Sequence, residues 1–140
     1  QSFVKIMWTS LIENAESIRA IYGDQVPSLH AISLHEISFI NGVDLICNMR
    51  FDVNDLPCIL PLKWIKKRVN TVQIHLQLVG SEVIFFEYSG SRLFGNLGII
   101  AEEDYNNVDF TIFERKVFVL KSKSIYVSSI TGYTKEAMGQ

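Results

Sequence analysis

The fold is decided by residues 43–51, which read Val43-Asp44-Leu45-Ile46-Cys47-Asn48-Met49-Arg50-Phe51. The odd-numbered residues are all apolar, and the even-numbered ones are polar apart from Ile46. A period of two places these sets on opposite faces of a β-strand, and one covered face opposite one solvated face is typical of an antiparallel sheet. Asn41-Gly42 precedes the stretch and follows another apolar run. Because both residues tolerate positive φ, this dipeptide predicts a tight β-hairpin.

Ahead of this hairpin, residues 9–22 have the pattern of an amphipathic helix. Apolar side chains recur there at spacings of three and four residues, with polar and charged residues between them. Thr9 or Ser10 can cap the start of the helix, and Glu13, three residues after Ser10, completes a capping-box pattern. Gly23 follows the last apolar position, where a left-handed residue commonly ends a helix. Such a helix has one apolar side, which requires a sheet to cover it.

Alternating apolar residues predict strands through most of the remaining chain. Residues 31–40 form the first, and a slip in parity at His35-Glu36 predicts a β-bulge. Gly80-Ser81 predicts a tight turn between two strands at residues 71–79 and 82–88. Further alternating runs are residues 93–101, 108–113, 117–120 and 124–130. The predicted fold class is α+β, with one N-terminal amphipathic helix packed on a curved, largely antiparallel sheet of about six to eight strands.

Length and composition limit the class of protein. A chain of 140 residues can bury a core in one domain, which we assign to residues 3–140, with Gln1-Ser2 interpreted as the remnant of a cleaved expression tag. The net charge of −2 argues against a nucleic-acid partner. No apolar run approaches the roughly 18 residues of a membrane span, so we expect no membrane partner. Cys47 and Cys58 are too few for a disulfide framework, which favours a cytoplasmic location.

The sequence contains no pattern that predicts catalysis, and we expect no catalytic residue, no metal and no cofactor. The three histidines, His30, His35 and His75, lack the close spacing of metal ligands. His35-Glu36 resembles a base with an orienting carboxylate, but neighbouring residues of a strand point to opposite faces. Cys58 has no histidine beside it in the sequence that would activate a thiol.

The strongest candidate for a partner-binding site is an acidic turn, defined here as residues 102–105. Its residues are Glu102, Glu103, Asp104 and Tyr105. This is the densest run of carboxylates in the chain, and the aromatic ring could serve as an anchor beside them. Asp109 extends the surface, and together these residues could occupy the basic cleft of a protein partner. A solvated hairpin turn is the alternative interpretation. The doubly apolar run at residues 83–88 is the next candidate for an interface.

Short landmarks along the chain resemble those of one family. They occur in the order Trp8, Ile21-Tyr22-Gly23, Pro27-Ser28-Leu29, Leu34-His35, Arg50-Phe51-Asp52, Pro61-Leu62-Lys63-Trp64, Asn70 and Ile130-Thr131-Gly132-Tyr133. No single landmark is specific. Their order and spacing, which span nearly the whole chain, resemble the immunity protein 50 family, whose members are cytoplasmic antidotes encoded beside bacterial polymorphic toxins.

The resemblance implies a protein without enzymatic activity that neutralises a cognate toxin domain by direct contact. The family's motif residues are interpreted as framework rather than as the toxin-binding site, namely Trp8, Gly23, Pro27, Pro61 and Trp64. We expect the last of them to be largely buried. A carrier of a small-molecule or lipid-like ligand is the alternative function, with an apolar cavity lined by Phe85, Phe86, Phe110 and Phe113. The oligomeric state is left open.

Overall fold

The computed structural model describes residues 7–87 and 93–136. They form a 3₁₀ helix Trp8–Leu11, helices α1 Glu16–Tyr22 and α2 Leu62–Lys66, and strands β1 Ile32–Asn41, β2 Leu45–Val53, β3 Thr71–Phe86, β4 Leu93–Ala101, β5 Asn106–Ile112 and β6 Arg115–Tyr133. The strands close into a barrel in the order β1-β2-β3-β6-β5-β4, with every neighbouring pair antiparallel. The predicted α+β class with a curved antiparallel sheet is confirmed, with six strands. Gln1-Ser2 lies outside the described residues.

The interior of the barrel is filled by apolar side chains. Strand β2 contributes Cys47, Met49 and Phe51, which are fully buried, as the alternation of this strand predicts. Phe110 of β5 stacks on Phe118 of β6, with ring centroids 5.7 Å apart and ring planes at 13°. Apolar residues of α1 join the same cluster. One continuous core therefore holds the helix to the barrel.

The hairpin of β1 and β2 contains the predicted bulge but has a different turn. The register of the pair shifts just after Leu34, which confirms the β-bulge at His35-Glu36. Asn41 is still paired, lying opposite Leu45, so three residues form the turn. Neither Asn41 nor Gly42 adopts positive φ. The predicted turn geometry is therefore wrong, because Asn41 continues the strand instead of bending it.

Strands β3 and β6 are each longer than the sequence predicts. Gly80 has a φ of 66°, as its predicted turn requires, but the chain does not reverse there. Val79 pairs with Ser124 and Ser81 pairs with Ser122, so β3 bends at the glycine and continues beside β6. A glycine with positive φ produces a bend rather than a turn when the partner strand runs past it. The predicted turn is wrong, as is the division of β6 into two strands. Tyr88 lies outside the described residues.

The N-terminal α-helix is shorter than predicted, because residues that fit its pattern pair with β6 instead. Helix α1 begins only at Glu16. The Glu13 amide donates a hydrogen bond to the Ile125 carbonyl oxygen at 2.8 Å. The side chain of Asn14 donates to the Val127 carbonyl oxygen at 2.9 Å and accepts from the Val127 amide at 2.7 Å. These contacts satisfy backbone groups of β6 beyond its pairing with β5.

The structure contradicts the predicted start of the helix and confirms its predicted end. The Ser10 hydroxyl donates to the Met7 carbonyl oxygen at 2.6 Å, and α1 begins without a side-chain cap, so the capping box with Glu13 is wrong. Gly23 ends α1 as predicted, with a φ of 66°, and its amide donates to the Arg19 carbonyl oxygen at 2.7 Å.

Trp64 attaches the connection between β2 and β3 to the barrel. It lies in α2, which begins directly after Pro61, and the Pro61 carbonyl oxygen accepts the Trp64 amide at 2.9 Å. The Trp64 side chain is partly buried and packs against the core cluster. Gly132 of β6 lies directly beneath the ring, because a Cβ atom there would be 2.8 Å from Trp64 Cε2.

Replacing Gly132 by alanine is expected to lower the free energy of unfolding by about 1–3 kcal/mol, the range for overpacked sites. The added methyl group would also lie 2.8 Å from Val69 Cγ1, so two neighbours would have to move. Gly42→Ala is the matched control, since its nearest neighbouring atom would be 3.5 Å away. Urea denaturation of both variants measures the difference. Equal midpoints for the two variants would contradict the packing of Trp64 on Gly132.

Candidate functional site

The acidic turn connects β4 to β5. It is closed by a hydrogen bond of 2.8 Å from the Glu102 amide to the Tyr105 carbonyl oxygen. The side chains of Glu102, Glu103 and Asp104 are exposed. None of the three forms an ion pair with another described residue. Three free carboxylates at one hairpin tip are therefore available to a cationic partner.

Tyr105 is less accessible than the carboxylates beside it. Its ring is partly buried, and the Nζ atom of Lys121 lies 4.5 Å from the ring centroid, a cation–π contact. Lys121 belongs to β6 and pairs with Asn107 of β5. The sequence predicts Tyr105 as an anchor for a partner, whereas one face of its ring is already occupied by this lysine.

Asp109 differs from the three free carboxylates because its own carboxylate is hydrogen-bonded and ion-paired. It lies on β5 opposite Gly98, where a Cβ atom would be 2.7 Å from Asp109 Oδ1. Its carboxylate accepts hydrogen bonds from Lys116 Nζ at 3.4 Å and from Asn107 Nδ2 at 3.3 Å, and the side chain is only 14% exposed. The charge of Asp109 is thus neutralised within the sheet.

A second polar cluster, the Asp52 network, lies on the outer face of the barrel. The Asp52 side chain is 5% exposed and accepts hydrogen bonds from His35 Nε2 at 2.7 Å and Gln73 Nε2 at 3.0 Å. The Tyr133 hydroxyl donates a third, and Lys135 Nζ lies 3.6 Å from the carboxylate. These residues come from β1, β2, β3 and the end of β6, so the carboxylate joins four parts of the chain.

Hydrogen bonds set the charge state of this network. Burial alone would raise the pKa of Asp52, but the hydrogen bonds from Tyr133, Gln73 and His35, together with the charge of His35, lower it below the ordinary value. Burial and the neighbouring carboxylate raise the pKa of Tyr133 to about 12. The carboxylate is therefore held ionised and the phenol protonated.

The bulge in β1 overturns the interpretation of His35-Glu36. The sequence predicts opposite faces for the two side chains, but both meet outward-facing residues of β2. His35 bonds to Asp52, and Glu36 accepts a hydrogen bond from Arg50 at 3.1 Å. That hydrogen bond is the main cause of the lowered pKa of Glu36. The extra residue of a bulge explains the change, because it lets two consecutive side chains share a face.

The Asp52 network resembles a catalytic His–Asp pair, but among the described residues His35 has no nucleophile as a second partner. A general base needs a second nitrogen directed at a nucleophile or a substrate. Among the described residues, His35 forms a side-chain hydrogen bond only to Asp52. The arrangement can hold the end of β6 against β1 and β2. Asp52 and Tyr133 both lie in the landmarks of the resemblance, which was the one sequence signal for this cluster.

The cysteines do not add a reactive site. Burial raises the pKa of the Cys47 thiol to about 12, so this thiol is not a nucleophile. Cys58 is exposed, and its Sγ donates to Gln25 Oε1 at 2.9 Å. Within the described part of the chain, no three histidine, cysteine, aspartate or glutamate side chains are grouped closely enough to hold a metal ion.

The landmark residues interpreted as framework lie at joints between elements. Trp8 donates a hydrogen bond from Nε1 to the carbonyl oxygen of buried Pro27 at 2.9 Å, which ties the 3₁₀ helix to the chain leading into β1. Gly23 ends α1 and Pro61 begins α2, as described above. Trp64 covers Gly132. Packing and chain direction therefore account for the residue types at these five positions.

The four phenylalanines predicted to line a ligand cavity do not face a common space. Phe110 is fully buried in the filled core, whereas Phe113 is 98% exposed. Phe85 and Phe86 are exposed by 43% and 39%. A groove of about 420 Å³ lies elsewhere, between Trp8 and the start of β1, and has polar as well as apolar walls. The geometry therefore does not favour a carrier.

No helix in the described residues has both the length and the apolar character needed to cross a membrane. Comparison with curated proteins finds no match, and comparison with solved structures finds none either. A family model described as immunity protein 50 matches residues 14–133, which include every strand, both α-helices and the acidic turn. The chain therefore belongs to the immunity protein 50 family.

Proposed function

We propose that this protein is a bacterial immunity protein that neutralises the toxin domain of a polymorphic toxin system by binding it directly. The observation that carries the proposal is the family match over residues 14–133. Binding without turnover agrees with the Asp52 network, whose carboxylate is enclosed by its own hydrogen bonds rather than directed at a substrate. The two free cysteines support a reducing compartment, and we place the protein in the cytoplasm.

We further propose that the acidic turn contacts the toxin. Glu102, Glu103 and Asp104 are exposed and retain unneutralised charge. Toxin domains that act on nucleic acids present basic clefts, and carboxylates can occupy such a cleft in place of phosphates. Tyr105 contributes through its free face only, and Asp109 contributes less because Lys116 already neutralises it.

Changing Glu102→Gln, Glu103→Gln and Asp104→Asn together is expected to slow association with the toxin by about 10- to 100-fold at low salt. Long-range attraction between opposite charges accelerates encounter, and its removal leaves dissociation less affected. The salt dependence of the association rate should also flatten, because fewer charges remain to be screened. Surface plasmon resonance with the toxin domain encoded beside this protein measures both rates.

A charge-matched control separates a local effect from a change in net charge. Glu16→Gln, Asp24→Asn and Asp44→Asn remove the same three charges from exposed positions outside the acidic turn. If both triple variants slow association equally, the acidic turn is not the contact surface. If the unchanged protein does not bind the toxin domain at all, the proposed neutralisation by direct contact fails.

A further inference from the structure

Helix α2 directs apolar side chains away from the barrel. Trp64 packs on Gly132, which fixes the side of the helix that faces the core. Leu62 and Ile65 are three residues apart and share a different side of the helix, where they are 67% and 55% exposed. Ile59, just ahead of α2, is 85% exposed. A surface helix normally turns such residues toward the core, so this orientation is the reverse of the usual one.

Basic side chains surround these apolar residues. Lys63, Lys66, Lys67 and Arg68 are all exposed, and none of them forms an ion pair with another described residue. Lys66 lies four residues after Leu62 and therefore on the same side of the helix. Residues 59–68, whose exposed side chains are here named the α2 surface, contain no aspartate or glutamate. Four unneutralised positive charges thus border the exposed apolar side chains.

Carboxylates from neighbouring segments do not cancel this charge. The Asp55 carboxylate accepts a hydrogen bond from the Ser28 amide at 2.8 Å, so it lies toward the chain leading into β1. Near the end of β6, Lys135 offsets Asp52, at a distance of 3.6 Å, and leaves Glu136 as the remaining carboxylate. The acidic turn joins β4 and β5, on the opposite side of the ring of strands from β2 and β3. The α2 surface therefore keeps a positive excess.

The end of α2 holds this surface in one shape. The Val69 amide donates to the Trp64 carbonyl oxygen at 3.0 Å, and the Arg68 amide donates to the Ile65 carbonyl oxygen at 3.1 Å. With a φ of 57° at Arg68, these bonds form a Schellman motif, which normally uses glycine at that position. The Thr134 hydroxyl, just past β6, donates to the Arg68 carbonyl oxygen at 3.1 Å. A surface that is already ordered loses little conformational entropy when it binds.

Lysine and aliphatic side chains in this arrangement favour a lipid surface over other anionic partners. Lysine is depleted in protein interfaces, where arginine and aromatic residues are enriched. Proteins that bind single-stranded nucleic acid combine positive charge with aromatic rings on which bases stack, whereas the exposed apolar residues here are aliphatic. At a bilayer, aliphatic side chains enter the boundary between headgroups and acyl chains, and the long lysine stems let the ammonium groups stay among the lipid phosphates.

We propose that the α2 surface binds peripherally to membranes that contain anionic phospholipids. This proposal departs from our expectation of no membrane partner, which concerned segments that span a bilayer. A surface contact needs no spanning segment. The cytoplasmic leaflet carries anionic lipids, so the contact agrees with the cytoplasmic location proposed above. It does not depend on toxin binding, because vesicles without toxin are enough to test it.

Co-sedimentation with phospholipid vesicles tests the charges. The unchanged protein is expected to bind vesicles of mixed phosphatidylcholine and phosphatidylglycerol, and not vesicles of phosphatidylcholine alone. Lys63→Gln combined with Lys66→Gln should lower the partition coefficient about 10- to 30-fold, since each basic residue at an anionic surface contributes about fivefold. Arg19→Gln combined with Lys123→Gln is the charge-matched control, because it removes two positive charges from exposed positions outside the α2 surface. The control should bind almost as well as the unchanged protein.

A second variant tests the apolar part of the contact. Ile65→Ser should lower the partition coefficient about three- to tenfold, because less apolar area then enters the acyl boundary. Ile100→Ser is the matched control, since Ile100 of β4 is 56% exposed and Ile65 is 55% exposed. This control should bind the mixed vesicles as the unchanged protein does.

A protein that binds neither kind of vesicle overturns the proposal, and so does equal binding to both kinds. If each variant loses no more binding than its control, the contact lies elsewhere and the proposal also fails. Binding to polyglutamate without binding to vesicles would assign the α2 surface to an acidic protein partner and overturn the proposal as well.

Discussion

Truncating Leu120 to alanine is expected to lower the free energy of unfolding by about 2–5 kcal/mol. Leu120 is fully buried and lies between Val83 of β3 and Val108 of β5. Removing three carbon atoms loses their transfer free energy and leaves a cavity that paired strands on both sides cannot close. The measurement is urea denaturation followed by tryptophan fluorescence. The dependence of the free energy of unfolding on urea concentration (the m value) is compared between variants.

Leu62→Ala is the control for this change, because it removes the same atoms from a side chain that is 67% exposed. Its effect should stay within about 0.5 kcal/mol, as for most surface substitutions. A Leu120→Ala variant that unfolds at the same urea concentration as Leu62→Ala would contradict the assignment of Leu120 to the barrel core.

Replacing Asp52 by alanine is expected to lower the free energy of unfolding by about 2–4 kcal/mol. The change would leave Tyr133, Gln73 and His35 without their shared acceptor. Removing one member of a buried ionic network costs about 3–5 kcal/mol, and we expect somewhat less because His35 can still reach water. Asp44→Ala, at an exposed carboxylate in the β1–β2 turn, should change the free energy of unfolding very little.

The same residue links stability to pH. Because folding lowers the pKa of Asp52, its ionised form contributes stability above the unfolded value of about 3.9, and this contribution is lost as the pH falls through the folded value. The native protein should therefore lose stability below about pH 4. Asp52→Asn cannot ionise and should lose less over the same range. If the free energy of unfolding falls equally in the two proteins as the pH is lowered, Asp52 is not the group that makes stability depend on pH.

Local periodicity predicted the parts of the fold in which each residue's environment follows from its neighbours in sequence. From Cys47 onward the odd-numbered residues of β2 are buried, because a strand alternates between two faces. Gly80 is different. A turn and a bend both require its positive φ, and only the presence of β6 alongside decides between them. Glu13 and Asn14 likewise fit a helix locally, but they bond to residues more than a hundred positions away.

The candidate site was predicted in the same uneven way. A run of carboxylates is visible in the sequence, so the acidic turn could be located, although its contact with Lys121 could not. The Asp52 network was missed because its members are distant in the chain. Asp52 is 17 residues from His35 and 81 residues from Tyr133. Such distances are closed only by the pairing of strands, which no local pattern encodes.

The closure of the barrel between β1 and β4 rests on a short seam. Among the described residues, three pairs form it: Ile32, Ser33 and Leu34 lie opposite Gly95, Phe94 and Leu93. Opening these pairs, together with the hydrogen bonds from the Leu97 amide to the Leu29 carbonyl oxygen and from the Ala31 amide to Asn96 Oδ1, would convert the ring into an open sheet with β1 and β4 as its two edge strands. Unpaired edge strands are templates for joining other chains. This short seam therefore separates the closed barrel of the described residues from an open sheet that could polymerise through its strands.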